Sequence, residues 1–311
     1  MNNIYIIGGA NIDIQGITKA DIRLYDSNIG QITYSFGGVG RNIADNLAQL
    51  GYPIYFITVF SKDAFGQQLM DNCRKRNIDI SLSMVSEEFS SSVYLAIIDD
   101  NHDMLVGVAD MEILRSLSDH HINELLLKID KDDICVIDTN LEKQIINHVL
   151  THVSCPVFVD PISTTKAEKL RDELKHITML KPNRIEAESL CGFKIIDATT
   201  GYQALDFFLS HGIKEIVITL GKDGILASDN EEYLWAHIPI SDIVCTTGAG
   251  DAFIAGYIDG YKRHETLKKR ITRASIMSEL TLATQKTVSD DIDVDIINEM
   301  MQDYPIVFEK L

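Results

Sequence analysis

Residues 245–256 read CTTGAGDAFIAG, and the fold must be one that can present this turn. Gly248, Ala249 and Gly250 carry almost no side chain, and Asp251 follows at once. Downstream, AFIAGYIDGYKR sets apolar residues at helical spacing, with Ala252, Ala255 and Gly256 small enough for close packing. A small-residue turn that opens a helix aims several backbone N–H groups at one point, and that point attracts anions. A purely structural turn needs a glycine or two and has no use for an acid just inside the helix. Three converging donors beside a carboxylate fit phosphoryl transfer: the donors stabilise the moving phosphoryl group and the acid takes the alcohol's proton. With no GxxxxGK[ST] motif, the chain is not a P-loop enzyme.

Working outward, short apolar runs rich in Ile and Val read as strands at 4–8, 54–60, 134–138, 157–160 and 215–221. Helix-like segments lie between them at 40–50, 63–75, 142–152, 183–190 and 202–210, and a helix-rich tail follows 264. Continuously apolar strands separated by helices imply an α/β fold, a three-layer α/β/α sandwich around a mainly parallel central sheet. In such sheets ligands bind beyond the carboxyl ends of the strands. Two segments, 12–35 and 80–108, alternate more like antiparallel strands and carry the turn signals DSNIG and DDNHD. They predict a small β-sheet lid on a single domain spanning 1–311, and the lid's exposed edges hint at a homodimer.

Composition narrows the partners. The 311 residues are 45% hydrophobic and 24% charged, an ordinary globular balance. The net charge of −18 repels nucleic acid and anionic lipid, so neither is expected as a partner. Five cysteines without a CxxC pair predict a reducing compartment and no disulfides. The N-terminus lacks a basic lead, and no uncharged apolar stretch approaches the roughly 18 residues of a membrane span, so a soluble cytoplasmic protein is expected.

Four further stretches carry chemistry, each with a plainer structural reading beside it. In GGANID (8–13), Asn11 and Asp13 leave a strand end and suit hydroxyl recognition, or else cap a turn. A nicotinamide fingerprint is excluded, because Ile, Asp and Ile stand where GxGxxG would open a helix. In SFGGVGRNIADNLAQLG (35–51), Gly37, Gly38 and Gly40 let backbone approach a ligand and Asn42 sits near the helix start, although a glycine turn and cap would look alike. LKPNRIEAESL (180–190) places Asn183 and Glu186 as a capping box, or where Mg²⁺ and a triphosphate could meet. VITLGKDG (217–224) ends a strand with Thr219, Gly221 and Gly224, whose backbone could lie along phosphates or ribose. By contrast, DIDVD (291–295) lacks the Gly and Glu of a calcium loop and reads as a helix start. His148 and His152 read as an exposed helix face.

In this order and spacing, GGANID, GGVGRN, KPNRIEAE and TTGAGDAFIAG resemble the ribokinase-like (PfkB) carbohydrate kinases over nearly the whole chain. The resemblance implies an ATP- and Mg²⁺-dependent kinase in which Asp251 is the base and Gly248, Ala249 and Gly250 form the anion hole. It places Asn183, Thr219, Gly221 and Gly224 on the nucleotide and Glu186 on the metal. Asn11, Asp13, Gly37, Gly38, Arg41, Asn42 and Asn140 fall on the acceptor side. Val39 and Arg41 depart from the ribokinase pattern of a lysine and a small residue. That points to the pseudouridine-phosphorylating branch, with uridine, adenosine, ribose and 2-keto-3-deoxygluconate as alternative acceptors and a catalytically silent sugar- or nucleotide-binding regulator as the rival class. Cys245 stands where many members place an aspartate for a monovalent cation, and a thiol is a poor K⁺ ligand.

Overall fold

The structure is a computed structural model that describes residues 2–99, 104–239 and 243–311. Its main sheet has nine strands in the spatial order Val307–Lys310, Tyr233–His237, Ile225–Ser228, Glu215–Thr219, Met179–Leu180, Val157–Asp160, Ile134–Asp138, Ile4–Ile7 and Ile54–Ile57. The six strands from Glu215–Thr219 to Ile54–Ile57 run parallel, and the other three are antiparallel.

The alternation of a strand divides its residues between two cores. Ile4, Ile6, Ile134 and Val136 pack on one face against the helices Val39–Gln49, Ala249–Lys262 and Leu267–Leu282. Tyr5, Ile7, Cys135 and Ile137 pack on the other against Asp119–Leu126, Lys143–His152, Arg184–Cys191 and Ala198–Ser210. With both faces covered, the strands must be apolar throughout, as the sequence shows. All five cysteines are free, and Cys73, Cys135 and Cys155 are buried.

The smaller sheet has four strands in the order Gly30–Gly37, Asn11–Thr18, Val93–Ile98 and Met104–Asp110. Asn11–Thr18 pairs antiparallel with Gly30–Gly37 and parallel with Val93–Ile98, which pairs antiparallel with Met104–Asp110. The second insertion is shorter than the sequence implies. Met84–Ser86 pairs instead with Val59–Ser61 in a separate two-stranded sheet, which also splits the run 54–60 after Ile57. The expected DDNHD turn lies, beyond Asp99, outside the described residues. The tail holds the helices Leu267–Leu282 and Val294–Asp303, but closes with the edge strand Val307–Lys310. Asp293, in the DIDVD stretch, caps the second of these helices, accepting from the N–H groups of Asp295 and Ile296. Among the described residues no helix is long and apolar enough to cross a membrane.

Candidate active site

The carboxyl ends of the parallel strands converge on one region. Gly8 follows Ile4–Ile7, Asp138 and Asp160 end their strands, Lys181 to Asn183 follow Met179–Leu180, and Thr219 ends Glu215–Thr219. Asp138 ties the first loops together. Its Oδ2 accepts from the backbone N–H of Gly9 at 2.8 Å and of Gly40 at 2.9 Å, and its Oδ1 accepts from Asn140 N–H at 2.9 Å. A Cβ on Gly8 would stand 2.3 Å from Asp138 Oδ2, so this position admits only glycine. Gly38 has φ +100°, and a Cβ there would meet the Gly9 carbonyl oxygen at 2.4 Å. GGANID and GGVGRN are therefore two halves of one backbone-to-backbone packing.

Asp251 lies in the first turn of Ala249–Lys262, after Gly248 at φ 86°. It is buried, and its Oδ2 accepts from Asn42 Nδ2 at 2.8 Å. Burial pushes its carboxyl up to about 8; nearby Asp160 and Asp138 push the same way, while the Asn42 bond and the Lys181 ammonium pull it down. Asn42 Oδ1 is buried with no hydrogen-bond partner among the described residues, so an acceptor atom stands ready beside the carboxylate. Asn11 Nδ2 donates to Asp13 Oδ1 at 2.5 Å, and burial raises the Asp13 carboxyl. Asn140 Oδ1 accepts from Lys166 Nζ at 2.5 Å.

On the other side of the Gly248–Gly250 turn, Asn183, Thr219, Gly221 and Gly224 line a cavity of about 390 Å³ together with Ala249 and Gly250. Ile225, Ile238, Ile243, Phe253 and Leu282 make it largely apolar. Asn183 and Glu186 form the capping box: Asn183 Oδ1 accepts from Glu186 N–H at 3.0 Å, and Glu186 Oε2 accepts from Asn183 N–H at 2.9 Å. Burial raises the Glu186 carboxyl. An apolar slot running into a turn of N–H donors, with a raised-pKa carboxylate beyond it, is an arrangement for moving a phosphoryl group onto a hydroxyl.

The pfkB family carbohydrate kinase model matches residues 1–293. The chain belongs to this family. It is 32% identical to the pseudouridine kinase of Escherichia coli over 297 residues, covering 94% of both chains. It is 24% identical to the guanosine-inosine kinase of Exiguobacterium acetylicum, covering 87% of this chain and 91% of the other. Among solved structures, Arabidopsis thaliana ribokinase, complexed with ribose and ATP, superposes with a TM-score of 0.83 at 19% identity, covering 97% of this chain and 100% of that one. The chain is thus a sugar or nucleoside kinase of the pfkB family, whose members use ATP with a metal ion taking part in the reaction.

In this pfkB kinase fold, the residues expected to face the acceptor form one connected group: Asn42 bonds Asp251, Asn11 bonds Asp13, and Gly37, Gly38 and Asn140 pack closely against Asp13 and the Gly9–Ala10 backbone. Arg41 lies close enough for its charge to favour the ionised form of Asp13, but two of its donors are already engaged. It is buried, with Nη1 donating to the Phe36 carbonyl at 2.7 Å and Nη2 paired with Asp45 at 2.7 Å, while Nε has no partner among the described residues. Sequence reasoning missed Asp138, Asp160, Lys166 and Lys181. The signal for the first two was an acid closing an otherwise apolar strand, where a core residue would stand if no ligand lay beyond.

Proposed function

We propose that this kinase transfers the γ-phosphoryl group of ATP to the 5′-hydroxyl of pseudouridine, giving pseudouridine 5′-phosphate and ADP. The single observation that carries the chemistry is the buried Asp251 at the head of its helix, bonded by Asn42 and flanked by the Gly248–Ala249–Gly250 turn. The acceptor hydroxyl gives its proton to Asp251, its oxygen attacks the γ-phosphorus, and the backbone donors take up the charge that develops on the phosphoryl oxygens. Asn42 holds the carboxylate by one amide end and offers Oδ1 to a sugar hydroxyl. The small sheet acts as a lid over the acceptor, with Asp13 on its inner side, excluding water that would otherwise hydrolyse ATP.

The apolar slot beside Thr219 and Gly221 suits the nucleoside half of ATP. Mg²⁺ takes one or two carboxylates and completes its shell with water and substrate phosphates. Glu186, bonded through its carboxylate to the N–H of Asn183, which lines the slot, is the carboxylate that would hold such a cation together with ATP. Bound there, the ion would neutralise charge on the phosphates.

Support for pseudouridine rather than another acceptor comes from the 32% identity to the Escherichia coli enzyme across 94% of both chains, against 24% for the guanosine-inosine kinase. The test is an ADP-release assay with pseudouridine, uridine, guanosine, adenosine and ribose at equal ATP. Pseudouridine should give the highest kcat/KM; a higher value for any other acceptor overturns the assignment. The face of the lid away from Asp13 presents Ile32, Leu95, Val106 and Val108, all exposed, which supports a homodimer through the lid.

A further inference from the structure

Lys181 is a buried lysine at the end of a central strand, in a pocket that already holds Asp160, Glu186 and Asp251. Its Nζ lies 3.0 Å from Asp160 Oδ2. Asp160 is itself fixed, since its Oδ1 accepts from Ile162 N–H at 2.8 Å. A second contact is more telling. A Cβ built on Gly250 would stand 3.3 Å from Lys181 Nζ, the only neighbour it would meet within 4 Å among the described residues. The ammonium therefore lies directly beside the backbone of the anion-hole turn, and the bare glycine at 250 leaves the way between them open. A lysine taken out of water at a cost of several kcal/mol needs more than one partner to hold its charge. Here the carboxylates of Asp160, Glu186 and Asp251 surround it, and those same groups would repel an incoming triphosphate unless a cation answered them.

Building on the phosphoryl-transfer reading above, we propose that Lys181 is a catalytic cation of the anion hole, donating an N–H to the transferred phosphoryl group alongside the Gly248–Ala249–Gly250 amides. In the step, the acceptor O–H proton passes to Asp251, the new O–P bond forms, and the bond from the γ-phosphorus to the bridging oxygen breaks with its electron pair leaving on ADP. Lys181 keeps its proton throughout and compensates charge that spreads over the phosphoryl oxygens. Its second effect is on Asp251 itself, whose ionised form the ammonium favours against the push of Asp160 and Asp138.

The experiment is a double-mutant cycle of Lys181→Met and Asp160→Asn, read as single-turnover ADP formation and as nucleotide dissociation constants by calorimetry. Lys181→Met should slow turnover by about 10²–10³-fold, the loss typical of one oxyanion donor. Nucleotide affinity should fall much less than turnover does. Should the lone charge left at Asp160 keep Lys181→Met from folding, the neutral pair Lys181→Met/Asp160→Asn serves against Asp160→Asn alone. The double variant should again be slower, by about the same factor. Equal rates for the two would mean that Lys181 acts only through Asp160 and would overturn the proposal, as would wild-type turnover in Lys181→Met. If the wild-type protein phosphorylates none of the five acceptors, the acceptor assignment falls separately. The same cycle is then read on its slow hydrolysis of ATP, which draws on the same anion hole.

Discussion

The titration of Asp251 is the most exposed consequence of this site. Moving its carboxyl from the ordinary 3.8 to about 8 is a shift of roughly four units, or about 5–6 kcal/mol against ionisation in the free protein. At neutral pH only about a tenth of the molecules then carry the ionised base. For the free enzyme, kcat/KM should climb nearly tenfold between pH 6 and 7 and level off above about 8. The same displacement bears on stability with a definite sign. Because the fold prefers the protonated group, its contribution is fully present below the unfolded-state value of about 3.9 and is lost progressively as pH rises through 8. Asp251→Asn stays neutral at every pH, so its stability advantage over the wild type should grow by up to about 4 kcal/mol from pH 5 to pH 8. The assays are initial rates of ADP release and urea unfolding, both run across pH 5 to 9. A flat rate profile, or an Asn variant whose advantage does not change with pH, would refute the reasoning.

Other consequences can be checked with single variants. Asp251→Asn should cut kcat by about 10²–10⁴-fold while calorimetry still detects nucleotide binding; more than a tenth of wild-type kcat would contradict its role as base. Asn42→Ala should raise the acceptor's KM and move the acid limb of the rate profile upward, since the bond that favours ionised Asp251 is gone, with ATP affinity nearly intact. Gly248→Ala combines φ +86° with a Cβ placed only 1.8 Å from the Thr287 carbonyl oxygen, so the tail segment must shift. A loss of at least about 2 kcal/mol is expected in denaturant unfolding, above the usual 1–2 kcal/mol for the left-handed conformation alone. Leu95→Glu with Val108→Glu puts charge on the outer lid face, where these residues pair across strands. Analytical ultracentrifugation should find this variant monomeric and the wild type dimeric, as the proposed lid-to-lid contact requires; a monomeric wild type would overturn that contact.

What could be read from the chain without coordinates was whatever depends on local spacing. The strand at 134–138, the helix that follows GGVG and the turn ahead of Asp251 each carry their pattern within a dozen residues, and all three form where the pattern puts them. The small sheet was legible as alternation, but the partner of Met84–Ser86 was not, because three residues of extended chain pair equally well with any free edge. Arg41 shows a related limit: its place next to a glycine loop reads as a ligand contact, but the spacing alone does not reveal that Asp45, one helical turn on, pairs with it at 2.7 Å.

The deepest gap concerns groups that act at a distance in sequence. Asp138 is some 98 residues from Gly40 and 129 from Gly9, yet one carboxylate oxygen binds both N–H groups, and its bulk is the reason Gly8 must lack a side chain. The glycines advertised a close approach without naming what approaches. Lys181 and Asp160 are similar, 21 residues apart on neighbouring strand ends: Asp160 lies outside the stretches singled out above for chemistry, and Lys181 opens KPNRIEAE ahead of the Asn183–Glu186 pair whose spacing carries that motif's reading. A parallel sheet brings its strand ends together irrespective of the length of the crossovers between them, so the charges meeting there are set by topology rather than by motif. In the proposed reaction the motif residues supply the base and the donors, while the strand-end residues tune the ionisation of that base. The pH at which Asp251 ionises therefore answers to Asp138, Asp160 and Lys181, three side chains outside every glycine signature in the sequence.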